Sequence, residues 1–284
     1  MFKKFIIILT LLFFTTANAA DIKNKFIGNL SDFLSNSLGQ NFETVEVVLS
    51  SGTTNEVVGN ILVVKPLSDI NDEKNTLFTQ GSIFLSDDSR ETINLGIGKR
   101  KLVNDDTLLL GANLFYDHEL DYDHQRASIG IEAISSVGSF RANHYYGLSG
   151  WQSGFDSIQE KALNGNDVEF GAPLPYLPWA NFYLRSFNWE GASGATDLKG
   201  DEMSLEAKFS GFNIEVGKRS NDGTTEDNEF LRLTWTCCNN NQEKIGISDK
   251  AYNLTSVADQ RFVKVRRQNL IVKQKEMSLT VIGF

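Results

Sequence analysis

The chain is poor in the features that most readily disclose a function. It has only two cysteines, Cys237 and Cys238, and an adjacent pair cannot staple distant segments, so they read as strand-end residues rather than a disulfide framework. Three histidines, His118, His124 and His144, leave little with which to build an imidazole centre. The formal net charge of -9 argues against nucleic acid as a partner. Past the first twenty residues no run approaches the ~18 consecutive apolar residues that a spanning helix needs. If this chain sits in a membrane, it does so as a closed barrel, the other structure that satisfies every backbone group in hydrocarbon. Composition alone also permits a secreted β-sandwich.

What is present is alternation. Ile93, Leu95 and Ile97 interleave with Thr92, Asn94, Gly96 and Gly98. Leu108, Leu110, Ala112, Leu114 and Tyr116 share a face opposite Gly111, Asn113 and Asp117. Ala127, Ile129, Ile131 and Ala133 alternate with Arg126, Ser128, Gly130 and Glu132, a charged set suited to a wet lumen rather than a packed core. A period of two predicts strands. About twelve candidates follow one another from 43–50 to 229–238, with lengths that suit a transmembrane barrel.

The flanks and links add direction. Lys3 and Lys4, the apolar run Phe5 to Phe14 and Ala17-Asn18-Ala19 read as a signal peptide over 1–19. Residues 20–41 carry Ile22, Phe26, Leu30, Phe33 and Leu34 at helical spacing, an amphipathic helix assigned to the periplasm. Counting strands from the first, links after odd strands are mostly long and polar and links after even strands tight, which puts the N-terminus in the periplasm of a Gram-negative cell. Two links disobey: 67–75 is long where a turn is expected, and 87–90 is short. Tyr116, Tyr145, Tyr146, Trp151, Tyr176, Trp179, Tyr183 and Trp189 fall near strand ends, where interfacial girdles form.

The blocks 76–100, 108–133, 142–151, 164–179 and 261–275, with Gly-Ala-Asn-Leu-Phe-Tyr-Asp-His at 111–118 the most specific, resemble in order and spacing the β-domain of the intimin/invasin inverse autotransporters. The resemblance implies a twelve-stranded outer-membrane barrel over 42–239. It also implies a linker, 240–275, that returns through the pore and carries a C-terminal adhesin passenger to the surface. Outer-membrane lipid, the barrel-assembly machinery and periplasmic chaperones would be its partners. Only 276–284 follow, so the passenger is expected to be absent here or separately encoded, leaving a translocator whose cargo is missing.

The segment 261–275 is strongly basic, with Arg261, Lys264, Arg266, Arg267, Lys273 and Lys275, and is expected to be held by a lumen lined with Glu132, Glu169, Glu202, Glu206 and Glu215. A thirteenth strand or a disordered tail are the alternatives, and Asp249 to Asp259 is expected to form a short helix. Asp117, His118, Asp121, Asp123, His124 and Trp151 read as surface-loop residues for a ligand. The carboxylates and imidazoles near them invite a metal reading, but a solvated loop is favoured, and no metal, cofactor or catalytic residue is assigned. A porin-like channel, a surface-loop adhesin and an outer-membrane lipid hydrolase using His144 with Ser149 or Ser153 stand as the other functional readings.

Overall fold

A computed structural model describes residues 42–52, 57–86, 90–209, 211–223, 226–237, 245–276 and 281–282. The signal peptide and the N-terminal helix expected over 1–41, and Cys238, lie outside the described residues.

Alternation resolves into a closed antiparallel barrel of twelve strands. In chain order these are β1 (Thr44–Gly52), β2 (Val57–Pro66), β3 (Asn75–Leu85), β4 (Glu91–Val103), β5 (Leu108–Glu119), β6 (His124–Ser135) and β7 (Gly138–Gly147). After the short β8 (Trp151–Ser153) and β9 (Gln159–Ala162) come β10 (Gly165–Leu174), β11 (Leu177–Trp189), β12 (Leu198–Phe209), β13 (Phe212–Asn221) and β14 (Asn228–Cys237). Pairing of β1 with β14, from Val45↔Cys237 to Gly52↔Phe230, closes the wall, so no barrel strand leaves an open edge.

Both ends of the chain's path through the wall, Thr44 and Cys237, meet at one rim, which also carries the tight connections; we call it the turn rim. The opposite loop rim carries the long connection between β7 and β10. That connection is not plain loop: β8 and β9 pair with β15 (Lys273–Lys275) and β16 (Val281–Ile282) in a separate four-stranded sheet of order β16-β15-β9-β8.

The two faces of the wall follow the sequence period. Leu95 (61% exposed), Leu114 (55%) and Ile131 (54%) point outward, whereas Asn94, Arg100, Asn113, Asp117, Arg126 and Glu132 point inward and are buried. The inward set is therefore not bathed in a wet lumen; the lumen is filled. Three of the aromatics expected in girdles belong to that filling. Tyr145, Tyr183 and Trp189 are buried inside, whereas Tyr116 and Tyr146 face outward. Their position near strand ends suits a girdle, but parity turns them inward.

Near the turn rim the filling is apolar. Leu62, Val64, Phe78 and Phe115 from the wall pack on Phe262 and Val265. Two inward glycines make room: a Cβ on Gly96 would stand 2.3 Å from the Phe115 ring, and one on Gly98 2.3 Å from the Phe78 ring. Gly98→Val is expected to force Phe78 out of its place and lower stability by about 1–3 kcal/mol, the usual cost of overpacking. A urea titration followed by the heat-modifiable electrophoretic mobility of the barrel reads this, and an unchanged midpoint would refute it.

Candidate functional site

The filling is the chain's own C-terminal segment. Residues 245–257 run along the turn rim without helical structure and are tied to one turn after another. Trp179 Nε1 donates to the Gly246 carbonyl, Tyr176 N to the Ala251 carbonyl, Ser136 Oγ to the Asn253 carbonyl, and Val257 N to the Asp106 carbonyl. The helix expected over 249–259 is thus corrected: a single 3-10 turn, Ala258–Phe262, follows where the chain bends into the lumen. Residues 262–272 then cross from the turn rim to the loop rim. There Lys273–Lys275 pairs with β9, not with any barrel strand, so it is neither a thirteenth strand of the wall nor a free tail.

An extended segment that joins no barrel ladder has backbone donors and acceptors to satisfy, and the wall supplies them from side chains. Thr44 Oγ1 donates to the Phe262 carbonyl at 2.8 Å, and Arg100 to the carbonyls of Arg261 (2.9 Å) and Val263 (2.6 Å). Val265 N donates to Gln80 Oε1, and Gln268 N to the Tyr145 hydroxyl, each at 2.8 Å. Arg126 donates to the carbonyls of Gln268 (2.7 Å) and Leu270 (3.0 Å), and Asn94 to that of Asn269 (3.0 Å).

Side-chain charge adds a second set of contacts. Lys264 pairs with Glu46 at 2.6 Å. Arg266 lies between Glu169 (2.9 Å) and Glu215 (3.1 Å), with its guanidinium 3.8 Å from the Tyr183 ring centroid. Arg267 forms a two-pronged pair with Asp117, at 2.9 and 2.6 Å, and lies over the Phe115 ring. Lys273 donates to Glu119. Burial pushes the Lys273 ammonium below the usual lysine range, with Glu119 pulling the other way.

Several expected assignments change. Among the five glutamates, Glu169 and Glu215 touch the thread. Glu132 instead pairs with Arg100 at 2.6 Å, and Glu202 with Arg219 at 2.5 Å. Glu206 accepts from Tyr183 and Asn213. Among the described residues Arg261 pairs with no lumen carboxylate, only with Glu73 at the turn rim, 4.0 Å away. It stays at the turn rim, where it donates to the carbonyls of Ile70 and Asp72, and the long 67–74 connection folds over to meet it. Asp117 and His124 are not surface-loop residues; both are fully buried, because β5 and β6 extend to Glu119 and His124 and carry them inward. His118 and Asp123 do remain at the loop-rim surface, paired at 2.7 Å, and Asp121 accepts from the Glu91 amide. Trp151 is half-buried against a buried cluster that includes Tyr145, Leu163 and Val272. His144, considered for a hydrolytic pair, shares the outward parity of Tyr146 on β7, with the two rings 4.4 Å apart.

The grip by wall arginines on thread carbonyls does not follow from charge alone. Its signal is nonetheless present, since Arg100 and Arg126 occupy inward positions of strands whose parity is plain. Beside the thread there remains a cavity of about 160 Å³, lined among others by Glu46, Asn60, Arg185, Glu202, Arg219 and Arg232.

Comparison with known proteins agrees with this geometry. Residues 15–269 match the model of the family described as "Inverse autotransporter, beta-domain". The chain is 37% identical over 106 residues to a putative attaching and effacing protein homolog of Escherichia coli K12, covering 37% of this chain and 35% of that one. It is 32% identical over 164 residues to intimin of Citrobacter freundii, covering 56% of this chain and 17% of the relative. The chain thus spans only about a third or less of the lengths of these curated relatives. A solved structure from work entitled "Unveiling the Mechanism Behind the in-meso Crystallization of Membrane Proteins" superposes with a TM-score of 0.70 at 23% identity, over 83% of this chain and 100% of that one, and so shares the fold. With the closed twelve-stranded wall and the family model covering nearly all of it, this chain belongs to the inverse autotransporter β-domain family and forms an outer-membrane barrel.

Proposed function

We propose that the barrel faces the periplasm with its turn rim and N-terminus, and holds its C-terminal thread in the exported position. Chain beyond Lys275 then stands outside the cell, anchored by the lumen. The observation that carries this reading is the path of residues 261–275, which enter at the turn rim against Ile70 and Asp72 and leave at the loop rim on β9. Loop length supports the direction, since barrels of this class keep short turns in the periplasm and longer loops outside. The outward apolar band contacts outer-membrane lipid. The barrel-assembly machinery and periplasmic chaperones deliver the wall, and a passenger, in cis or separately encoded, is the cargo.

The test places single cysteines on a Cys237→Ser, Cys238→Ser background and labels intact cells with a membrane-impermeant maleimide. Glu276→Cys is expected to label fully and Lys250→Cys, on the exposed turn-rim segment, only after lysis. Labelling of Lys250→Cys alone would reverse the orientation, and protection of both would exclude export of the thread.

A further inference from the structure

Where the thread leaves the lumen it passes a buried cluster in which gripping the thread accounts for Glu119, through Lys273, but not for His124. Glu119 closes β5, His124 opens β6, and the two are direct cross-strand partners; Glu160 reaches them from β9. All three are buried, and one ligating atom from each lies within 4.8 Å of the others. The carboxylates are matched: Arg90 donates to Glu160 at 2.7 and 3.0 Å and to Glu119 at 3.3 Å, and Lys273 donates to Glu119. The imidazole is not. His124 is fully buried, its Nε2 stands 3.5 Å from Glu160 Oε2, and among the described residues neither ring nitrogen makes a hydrogen bond. Leaving a buried polar group unsatisfied is costly, and no contact with the thread requires this one. One imidazole nitrogen and two carboxylate oxygens converging in a dry site form a donor set of borderline softness, with a fourth tetrahedral position to spare.

We propose that Glu119, His124 and Glu160 form a site for a divalent transition-metal ion of the zinc class, and that the ion competes with the Lys273 ammonium for Glu119. With Lys273 seated, two carboxylates face two cations. Exchanging the ammonium for a dication raises the local charge by one, so the seated thread holds metal affinity down, and withdrawing Lys273 raises it. The coupling runs both ways, as linkage requires: bound metal loosens the hold on the strand Lys273–Lys275 at the exit. This inference concerns one loop-rim cluster and does not depend on the direction of export.

The test uses the full untagged chain in detergent micelles, titrated with Zn²⁺ by calorimetry and with Co²⁺ by visible absorption, each variant first shown to be folded by its heat-modifiable mobility. Lys273→Met is expected to bind about tenfold or more tightly than the parent, and His124→Gln in the Lys273→Met background to lose about tenfold or more. His118→Ala, at the exposed His118–Asp123 pair, is expected to change neither titration. Binding by Lys273→Met no tighter than the parent's would overturn the proposal. So would affinity retained without His124, or lost without His118.

Discussion

Arg266→Glu/Arg267→Glu is expected to open the pore, raising single-channel conductance in planar bilayers on the order of tenfold as the lumen of a twelve-stranded barrel clears. Arg266 sits between Glu169 and Glu215, and Arg267 on Asp117. Reversal replaces these attractions with three or more carboxylates within hydrogen-bonding range in a site of low dielectric. Breaking one buried ion pair typically costs about 3–5 kcal/mol, and here the broken pairs also become repulsive. The wall keeps its continuous ladder of strand pairs, so the element that yields is the thread, which carries its new charges into water. Arg266→Lys/Arg267→Lys keeps the sign but loses the two-pronged geometry, and is expected to give an intermediate conductance. Unchanged conductance in the reversed variant would show that the backbone grip through Arg100, Arg126 and Gln80 suffices to hold the thread.

That possibility reflects which features can be read in advance. The wall is legible because a barrel strand exposes one face to lipid and the other to its interior, a period that survives in any single segment, such as Thr92 to Ile97. The twelve strands accordingly lie within a few residues of their expected bounds. The site is legible only as a sum of charges. Basic residues at 261–275 point to an acidic counterpart, but partner choice depends on depth within the barrel, which one strand's pattern does not encode. Glu132 reads as a thread contact, yet Arg100 lies close enough on the same wall to claim it. The error at Asp117 and His124 has a different cause. Reading Asp117 to His124 as loop cuts off the last inward residues of β5 and β6, although Asp117, Glu119, His124 and Arg126 share one parity across the hairpin. The backbone contacts leave only the inward parity of Arg100 and Arg126 as a trace, because they answer the unpaired amides and carbonyls of an extended segment.

Asp117 concentrates the consequence. Its carboxylate accepts from Asn94 at 2.7 Å, from Arg126 at 2.9 Å, and from Arg267 at 2.9 and 2.6 Å, all fully or nearly fully buried. Asp117→Asn preserves the shape and removes the one charge that these two guanidiniums share, leaving both buried without a directly paired carboxylate among the described residues. The expected loss is about 3–5 kcal/mol, read as a fall in the urea midpoint of heat-modifiable mobility. Glu169→Gln is expected to cost less, because Arg266 retains Glu215 at 3.1 Å as a second carboxylate. A charge origin makes a further, sharper demand. Adding Arg267→Met to Asp117→Asn removes one of the two orphaned guanidiniums, so the double variant is expected to be more stable than Asp117→Asn alone. If packing of Arg267 over Phe115, 4.4 Å from the ring centroid, mattered more than its charge, the second substitution would instead deepen the loss. The sign of that difference decides whether the thread is held at this point by electrostatic balance or by fit.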